Sequence, residues 1–210
     1  MLHVIVPVKR FCFAKERLSG VRTTAERTEL ARGFAEHTLR ELATATSHAG
    51  VTVVSDEDSL RPFAQSMGVE WLDDPGGGLN AALTHALDVL IGCGCNDVAI
   101  VHADLPYLCA EEFDRIAARH KAGPSRKMTL VADRRNDGTT LRFCRPARGV
   151  PALYGPGSAR RHAAYAKAHE IAVDFATSPR FSLDCDTPAD LDLLTMDRAA
   201  SPAGYGGTAQ

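Results

Sequence analysis

The stretch DVAIVHADLP (residues 97–106) decides the fold class of this chain of 210 residues. Its strand portion, DVAIVH, is a nearly unbroken apolar run, which is typical of a central parallel strand buried on both faces. Asp104 follows directly, where such a strand would leave the sheet. Because ligands of open α/β sheets bind beyond the carboxyl ends of the strands, the same stretch indicates where a functional site should lie.

Short β-rich runs alternate with helical patterns on both sides of this stretch. Apolar residues spaced three or four apart mark the helices, and this alternation predicts a mostly parallel central sheet with helices on both faces. The predicted strands are residues 3–8, 51–54, 69–72, 97–102, 127–133, 139–145 and 170–174. The predicted helices are residues 24–47, 59–67, a helix that starts near residue 78, and residues 110–121, 158–169 and 187–196.

The composition excludes some classes of function. The net charge is −2, so no global positive field predicts binding to nucleic acid or to an anionic membrane. No apolar run is long enough to span a bilayer, and residues 1–8 lack the pattern of a signal peptide, which predicts a cytoplasmic protein. Because no repeat or linker divides the chain, we expect one domain over residues 1–197 and a flexible Gly-rich tail over residues 198–210.

The cysteines do not indicate a zinc site or a disulfide framework. No C-x-x-C pair occurs, and the CGC segment is isolated. We expect small, buried or half-buried thiols in a reducing compartment. The six residues are Cys12, Cys93, Cys95, Cys109, Cys144 and Cys185.

The loop after the first predicted strand is basic. The segment PVKRFCFAKERLSG (7–20) carries Lys9, Arg10, Lys15 and Arg17. Fixed cations of this kind suit a polyphosphate ligand. The segment contains neither the Walker P-loop pattern nor the dinucleotide fingerprint G-x-G-x-x-G, so a solvated basic loop is the alternative.

A glycine run follows the third predicted strand, in DDPGGGLNAAL (73–83). Gly76, Gly77 and Gly78 would let the backbone approach a flat ring closely. They lead directly into a helix N-terminus, which favours anionic or polar ligand groups. Asn80 is placed to bond a sugar hydroxyl or a base edge, and the alternative is a flexible loop before a helix.

Three aspartates are candidates for one metal site. Asp184 and Asp186 precede the last helix, whose start is explained without them by an N-cap, a first-turn proline and an acid at the third position: Thr187, Pro188 and Asp190. In an extended stretch, alternate side chains face the same way, so both carboxylates would converge. With Asp104 they would form the oxygen site that Mg²⁺ prefers, and a structural acidic turn is the alternative.

The segment GPGSARRHAAYA (155–166) predicts a second anion site. Gly155, Gly157 and Ser158 precede a helix whose free N–H groups can meet a carboxylate or phosphate. Arg160 and Arg161 follow, either as helpers or as part of a solvated helix face.

Six segments, in this order, resemble the 2-phospho-L-lactate and phosphoenolpyruvate guanylyltransferases of coenzyme F420 biosynthesis. They run from about residue 4 to residue 195 and read VPVK…AKERL, DDPGGGLNAAL, HADLP, DGTTLRF, YGPGSARRHAAYA and LDCDTPADL. The resemblance implies a single Rossmann-like nucleotidyltransferase domain, similar to the molybdenum-cofactor guanylyltransferases. It also implies transfer of GMP from GTP to a phosphorylated three-carbon acid, with release of pyrophosphate. Three acceptors stay open: 2-phospho-L-lactate, phosphoenolpyruvate and 3-phosphoglycerate.

Carried onto matching positions, the resemblance assigns roles to individual residues. It implies one or two Mg²⁺ ions on Asp104, Asp184 and Asp186. It implies GTP contacts from Lys9, Lys15, Gly76, Gly77, Gly78 and Asn80. It implies binding of the acid by Thr140, Gly155 and Ser158, and catalytic roles for Lys15, Arg17 and Asp104. The family has Asn in a GTN segment where this chain has Thr140 in GTT, which implies an altered acceptor pocket.

The resemblance further implies a homodimer and a product passed to the side-chain transferase of F420 biosynthesis. The attacking phosphate is already an anion, so no strong general base is needed, which fits the lack of an evident Ser–His–Asp or Cys–His set. Two rival functions keep the fold: a nucleotidyltransferase for a sugar phosphate or molybdopterin, and a GTP-binding regulatory protein without turnover. Cys95, His102, Thr140 and Cys144 are candidates for the acceptor pocket that the sequence does not rank.

Overall fold

A seven-stranded sheet forms the centre of the protein in the computed structural model, which describes residues 1–200, with the side chains of 1–195. The strands are β1 (Leu2–Val8), β2 (Val51–Ser55), β3 (Glu70–Asp73), β4 (Asp97–Val101), β5 (Lys127–Ala132), β6 (Thr139–Arg145) and β7 (Ala172–Phe175). The helices are α1 (Thr24–Thr44), α2 (Arg61–Ser66), α3 (Leu79–Gly92), α4 (Ala110–Lys121), α5 (Ser158–Ala168), α6 (Pro179–Ser182) and α7 (Pro188–Ala200).

The strands lie in the order β3-β2-β1-β4-β6-β5-β7, and every described pairing is parallel except those of β6. β6 runs antiparallel to both β4 and β5. The prediction of a mostly parallel sheet is therefore confirmed. The carboxyl ends of β1 and β4 lie side by side, with Ile5 opposite Ile100 in the register. This arrangement brings the segments that follow the two strands to one edge of the sheet.

Helices cover both faces of the sheet, as predicted. Val4 and Val6 of β1 point to the core shared with α1 and α4, whereas Ile5 points to the core shared with α3. Successive residues of a strand face opposite sides, so a strand buried on both sides must be apolar at every position. This is why β1 and β4 read as continuous apolar runs.

Most predicted elements are present, and the differences lie at ends and in one short helix. The predicted helix 59–67 is a 3₁₀ turn, Asp58–Leu60, followed by α2, and the last helix runs to Ala200. The sequence did not predict α6, which begins at Pro179 behind the N-cap Ser178, whose hydroxyl accepts from the Phe181 N–H at 3.3 Å. Of the predicted tail, residues 201–210 lie outside the described part of the chain.

The burial of the cysteine side chains agrees only partly with the expectation. Cys144 and Cys185 are buried and Cys95 and Cys109 half-buried, but Cys12 and Cys93 are exposed, so the prediction is wrong for those two. Across residues 1–200, no helix has the length and apolarity that a membrane crossing requires.

Candidate active site

A cavity of about 380 Å³ opens at the carboxyl ends of β1 and β4. Its wall is built by the loop after β1, one side of α1, the start of α3, the segment after β4 and Asp186. The polar and glycine residues of that wall are Lys9, Lys15, Asp74, Gly78, His102, Asp104 and Asp186. The cavity therefore lies where the parallel topology predicts a ligand site.

Lys15 lies between two of the predicted metal carboxylates. Its Nζ is 2.6 Å from Asp104 Oδ2 and 2.9 Å from Asp186 Oδ1, and the residue is only 7% exposed. Burial opposes the charge of the ammonium group, but the attraction of the two carboxylates outweighs it and raises the pKa of Lys15 above its usual value. Lys15 is therefore a fixed cation at the floor of the cavity.

The backbone of Lys15 adopts a strained conformation. Its φ is +54°, in the left-handed region that residues other than glycine rarely adopt. The neighbouring Ala14 is held in place, because its carbonyl accepts a hydrogen bond from buried Arg27 at 2.9 Å. Strain kept in place by its surroundings is typical of functional sites.

A tight turn joins Asp184 to Asp186, and Asp186 lies in the cavity wall. The Asp186 N–H donates to the Asp184 carbonyl at 3.1 Å, and the Cys185 N–H donates to the Asp104 carbonyl at 3.3 Å. The expected extended stretch is therefore wrong: a turn, bonded to the segment after β4, brings the carboxylates together. Asp190, fully buried, accepts from the Thr187 N–H at 2.8 Å, which confirms that the helix start is explained without Asp184 and Asp186.

The site contains more carboxylates than cationic side chains to neutralise them. The oxygens Asp104 Oδ1 and Asp184 Oδ1 are buried and have no hydrogen-bond partner among the described residues. Burial, together with the nearby charges of Asp104, Asp186 and Asp133, raises the pKa of Asp184 to about 6. Besides Lys15, Arg17 is near, with Nη1 at 4.0 Å from Asp186 Oδ2. A further cation would relieve this imbalance.

The donor atoms of these carboxylates are of the type that Mg²⁺ prefers. Carboxylate oxygens are its preferred protein ligands, and the two unpartnered oxygens supply them. Within residues 1–195 no trio of His, Cys, Asp or Glu side chains has the spacing of a finished metal site, and Lys15 lies between Asp104 and Asp186. The assignment of Mg²⁺ to Asp104, Asp184 and Asp186 stays a prediction.

The glycine run has the conformation that requires glycine. Gly76, Gly77 and Gly78 have φ of +84°, +86° and +88°. A Cβ on Gly77 would also approach the Ala81 Cβ to 3.1 Å. Gly78 lies in the cavity wall directly before α3. The predicted contact of this run with GTP stays a prediction.

Asn80 does not lie in the cavity wall. Its Oδ1 accepts from the Tyr154 N–H at 2.8 Å, and its Nδ2 donates to the Tyr154 carbonyl at 3.1 Å. Both polar groups of the amide therefore have partners within the protein. The predicted contact of Asn80 with a sugar hydroxyl or a base edge stays a prediction.

The predicted acceptor residues lie in a neighbouring region, outside the cavity wall. Thr140 is buried and donates to the Val131 carbonyl at 3.2 Å, and Ser158 is buried and donates to Thr139 Oγ1 at 3.1 Å. The Gly157 N–H, expected to be free for an anion, donates to the carboxylate of Asp137 at 2.9 Å. The roles of Thr140, Gly155 and Ser158 in binding the acid stay predictions.

Two residues that the sequence did not single out, Tyr154 and Arg142, connect the two regions. The Tyr154 ring lies 5.1 Å from the ring of His102, which is in the cavity wall, and 4.9 Å from that of His162. Arg142 is almost fully buried, and its guanidinium lies 5.7 Å from the Tyr154 ring. For Arg142, the available signal was a charged residue inside the apolar strand TTLRFCR.

The two cysteines predicted for the acceptor pocket lie in packed surroundings. Cys144 is buried and its thiol donates to the Pro146 carbonyl, and half-buried Cys95 packs against the α3 core.

His162 is a buried neutral histidine. Its Nε2 accepts from the Leu153 N–H at 3.2 Å, so the ring proton is on Nδ1, which lies 3.2 Å from Thr139 Oγ1. Burial, followed by the charges of Arg142 and Arg161, lowers the pKa of His162 to about 3. Its folded pKa is thus below its ordinary value of 6.5.

We expect His162→Gln to flatten the acid dependence of stability. The contribution of the neutral ring is complete above pH 6.5 and is lost as the pH falls toward the folded pKa, because the unfolded chain binds the proton first. At pH 5 the wild type should have lost about 2 kcal/mol through this group, a loss that the variant lacks. Urea unfolding of both proteins at pH 8 and pH 5 measures the difference. Equal losses in both would contradict it.

The mostly parallel α/β sheet, with its ligand cavity beyond the central strands, has the fold of solved nucleotidyltransferases. A nucleotidyl transferase from Methanothermobacter thermautotroptrophicus has this fold, with a TM-score of 0.65, 14% identity, and coverage of 95% of this chain and 98% of that one. The chain belongs to the family described as "Guanylyl transferase CofC like", whose model matches residues 2–201.

Two curated relatives extend this assignment over most of the chain. The phosphoenolpyruvate guanylyltransferase of Chloroflexus aggregans is 33% identical over 190 residues, covering 89% of this chain and 93% of the relative. The phosphoenolpyruvate guanylyltransferase of Sphaerobacter thermophilus is 34% identical over 190 residues, covering 90% of each chain. The family resemblance noted in the sequence is confirmed.

Proposed function

We propose that this protein transfers GMP from GTP to phosphoenolpyruvate and releases pyrophosphate, as a Mg²⁺-dependent enzyme of coenzyme F420 biosynthesis in the cytoplasm. The observation that carries the proposal is the ammonium group of Lys15 held between Asp104 and Asp186 at the cavity. Family membership supports GTP as donor, and the names of the two curated relatives support phosphoenolpyruvate as acceptor.

The basic loop binds the triphosphate in this proposal. Lys9 lies in the cavity wall, and Lys15 and Arg17 are both close to Asp186. The leaving pyrophosphate gains negative charge during the reaction, and fixed cations that need not reorganise stabilise that charge. Gly76, Gly77 and Gly78 let the backbone approach the guanosine, whose ring then lies against the start of α3.

The proposed role of the three carboxylates is to hold the metal ion and to orient the phosphate groups of the substrates. Asp104, Asp184 and Asp186 would hold Mg²⁺, which would neutralise phosphate charge during the transfer. The phosphate oxygen of the acceptor attacks the α-phosphorus of GTP, and the bond to the β-phosphate oxygen breaks. The nucleophile is already an anion, so no residue of this chain has to remove a proton. The protein instead aligns the two anionic substrates, which repel each other in water.

The region around Thr140, Gly155 and Ser158 holds the acid. Gly155 has a φ of +115° and immediately follows Tyr154, whose ring contacts His102 of the cavity wall. This contact makes the region an immediate neighbour of the cavity, as a reaction between two bound substrates requires. A homodimer and transfer of the product to the F420 side-chain transferase are further parts of the proposal.

Pyrophosphate release with a panel of acceptors tests the proposal. With GTP and Mg²⁺, we expect the fastest release with phosphoenolpyruvate and slower release with 2-phospho-L-lactate and 3-phosphoglycerate. Replacing GTP by CTP should reduce the rate at least about tenfold, because a base edge is recognised by hydrogen bonds that the other base cannot make. Release with glucose 1-phosphate but with none of the three acids would overturn the proposal. Tight GTP binding with no release from any acceptor would favour a regulatory protein.

A further inference from the structure

Residues 151–158, here called the acceptor loop, are held by side chains from several elements. Residues 151–154 have no regular structure, yet Ala152 and Tyr154 are buried. A buried irregular backbone needs hydrogen-bond partners from elsewhere. The side chains that bond its backbone are Arg142 to Pro151, His162 and Arg161 to Leu153, Asn80 to Tyr154, and Asp137 to Gly157.

Asn80 belongs to a different part of the fold from the other side chains that bond the acceptor loop. Arg142, Asp137 and the two α5 side chains stand on β6, on the hairpin before it and on α5. Asn80 stands in the first turn of α3, two residues after Gly78 of the cavity wall. It therefore ties the acceptor loop to the part of the protein that we assign to the nucleotide.

The chemistry of this contact requires an amide. The side chain of Asn80 accepts from the Tyr154 N–H at 2.8 Å and donates to the Tyr154 carbonyl at 3.1 Å, so it bonds one residue twice. Only an amide offers a donor and an acceptor at this spacing; a carboxylate offers no donor. The two bonds go to the two peptide groups on either side of the Tyr154 Cα, so they fix the orientation of this residue as well as its position.

The position of Tyr154 determines that of the residues on either side. Its ring packs against His102, two residues before Asp104, and against His162, which bonds Leu153. Gly155 follows directly. A shift at Tyr154 would therefore move Gly155 relative to the segment after β4, which carries the candidate metal ligand.

We propose that Asn80 is a positioning residue that fixes the acceptor loop relative to the nucleotide cavity through Tyr154. It contacts neither substrate, and its loss weakens binding of the acid while leaving the nucleotide in place. The proposal rests on the proposed function in one respect, namely that the loop binds the acid.

Hydrogen–deuterium exchange tests the contact without any substrate. In Asn80→Ala, we expect exchange of the amides in residues 153–158 to accelerate about tenfold, with β1 and β4 unchanged. Asn80→Asp keeps the acceptor but not the donor and should give an intermediate increase. The matched control is Thr84→Ala, an exposed residue one turn along α3 whose hydroxyl bonds the Asn80 carbonyl. Unchanged exchange in both Asn80 variants would overturn the proposal.

Calorimetric binding separates positioning from direct contact. For phosphoenolpyruvate, with Mg²⁺ and saturating α,β-methylene-GTP, we expect about tenfold weaker binding in Asn80→Ala. Binding of α,β-methylene-GTP alone should change less than about twofold, and Thr84→Ala should change neither. A larger loss for the nucleotide, or no loss for the acid, would overturn the proposal. If the wild type binds no phosphoenolpyruvate, the proposed acceptor fails, and hydrogen exchange still decides whether Asn80 holds the loop.

Discussion

Asp104→Asn should reduce kcat at least about 10³-fold while leaving the protein folded. The substitution keeps the shape of the side chain but removes the charge that faces Lys15 and the cavity. Asp104 Oδ1, like Asp184 Oδ1, is a buried oxygen of the site without a hydrogen-bond partner among the described residues, so it is a main candidate for the metal. A neutral amide cannot replace a carboxylate in balancing a divalent cation between two phosphate groups.

Stability should change little in Asp104→Asn, because two effects oppose each other. Lys15 loses one carboxylate but keeps Asp186 at 2.9 Å, and Asp184 loses a negative neighbour that raises its pKa. We expect the free energy of unfolding to stay within about 1 kcal/mol of the wild type. Steady-state pyrophosphate release and urea unfolding measure the two quantities. The control is Asp88→Asn, the same change at an exposed position of α3. More than a tenth of wild-type kcat in Asp104→Asn would remove this residue from the reaction.

The sheet and the place of the site could be predicted from the sequence because they depend on local patterns. Continuous apolar runs predicted β1 and β4, and topology then indicated the edge where Asp104 lies. The glycine run was recognisable because backbone with positive φ at three consecutive positions strongly favours glycine. These features are written in a few neighbouring residues, which a single sequence displays.

The contacts inside the site could not be predicted, because they join residues far apart in the chain. Lys15 reads as one of several cations in a basic loop, and only the fold brings it between Asp104 and Asp186. Asn80 reads as a ligand for a nucleotide because it follows three glycines, yet its partner is Tyr154, 74 residues away. Asp137 carries no signal in the sequence, yet its carboxylate accepts from the Gly157 N–H before the start of α5.

Lys15→Met should lower both activity and stability, and by more than the same substitution at an exposed lysine. Methionine has a similar length and fills similar space, so the main change is loss of the charge. Without the ammonium group, we expect kcat to fall about 10³-fold, because a fixed cation next to the reacting phosphates is lost. We also expect the free energy of unfolding at pH 7 to fall by about 3 kcal/mol, since Asp104 and Asp186 lose their shared partner.

The dependence of that loss on pH distinguishes charge from packing. In the wild type the pKa of Asp104 is lowered, because the attraction of Lys15 outweighs burial, so its contribution is present at neutral pH and is lost in acid. In Lys15→Met the carboxylates bind protons at higher pH, which relieves their repulsion. The difference in stability between the two proteins should therefore shrink as the pH falls from 7 to 4. Lys167→Met, exposed on α5, is the control with the same change of charge. A difference that stays constant over this range would mean that Lys15 stabilises the site through packing, and that the carboxylates do not need its charge.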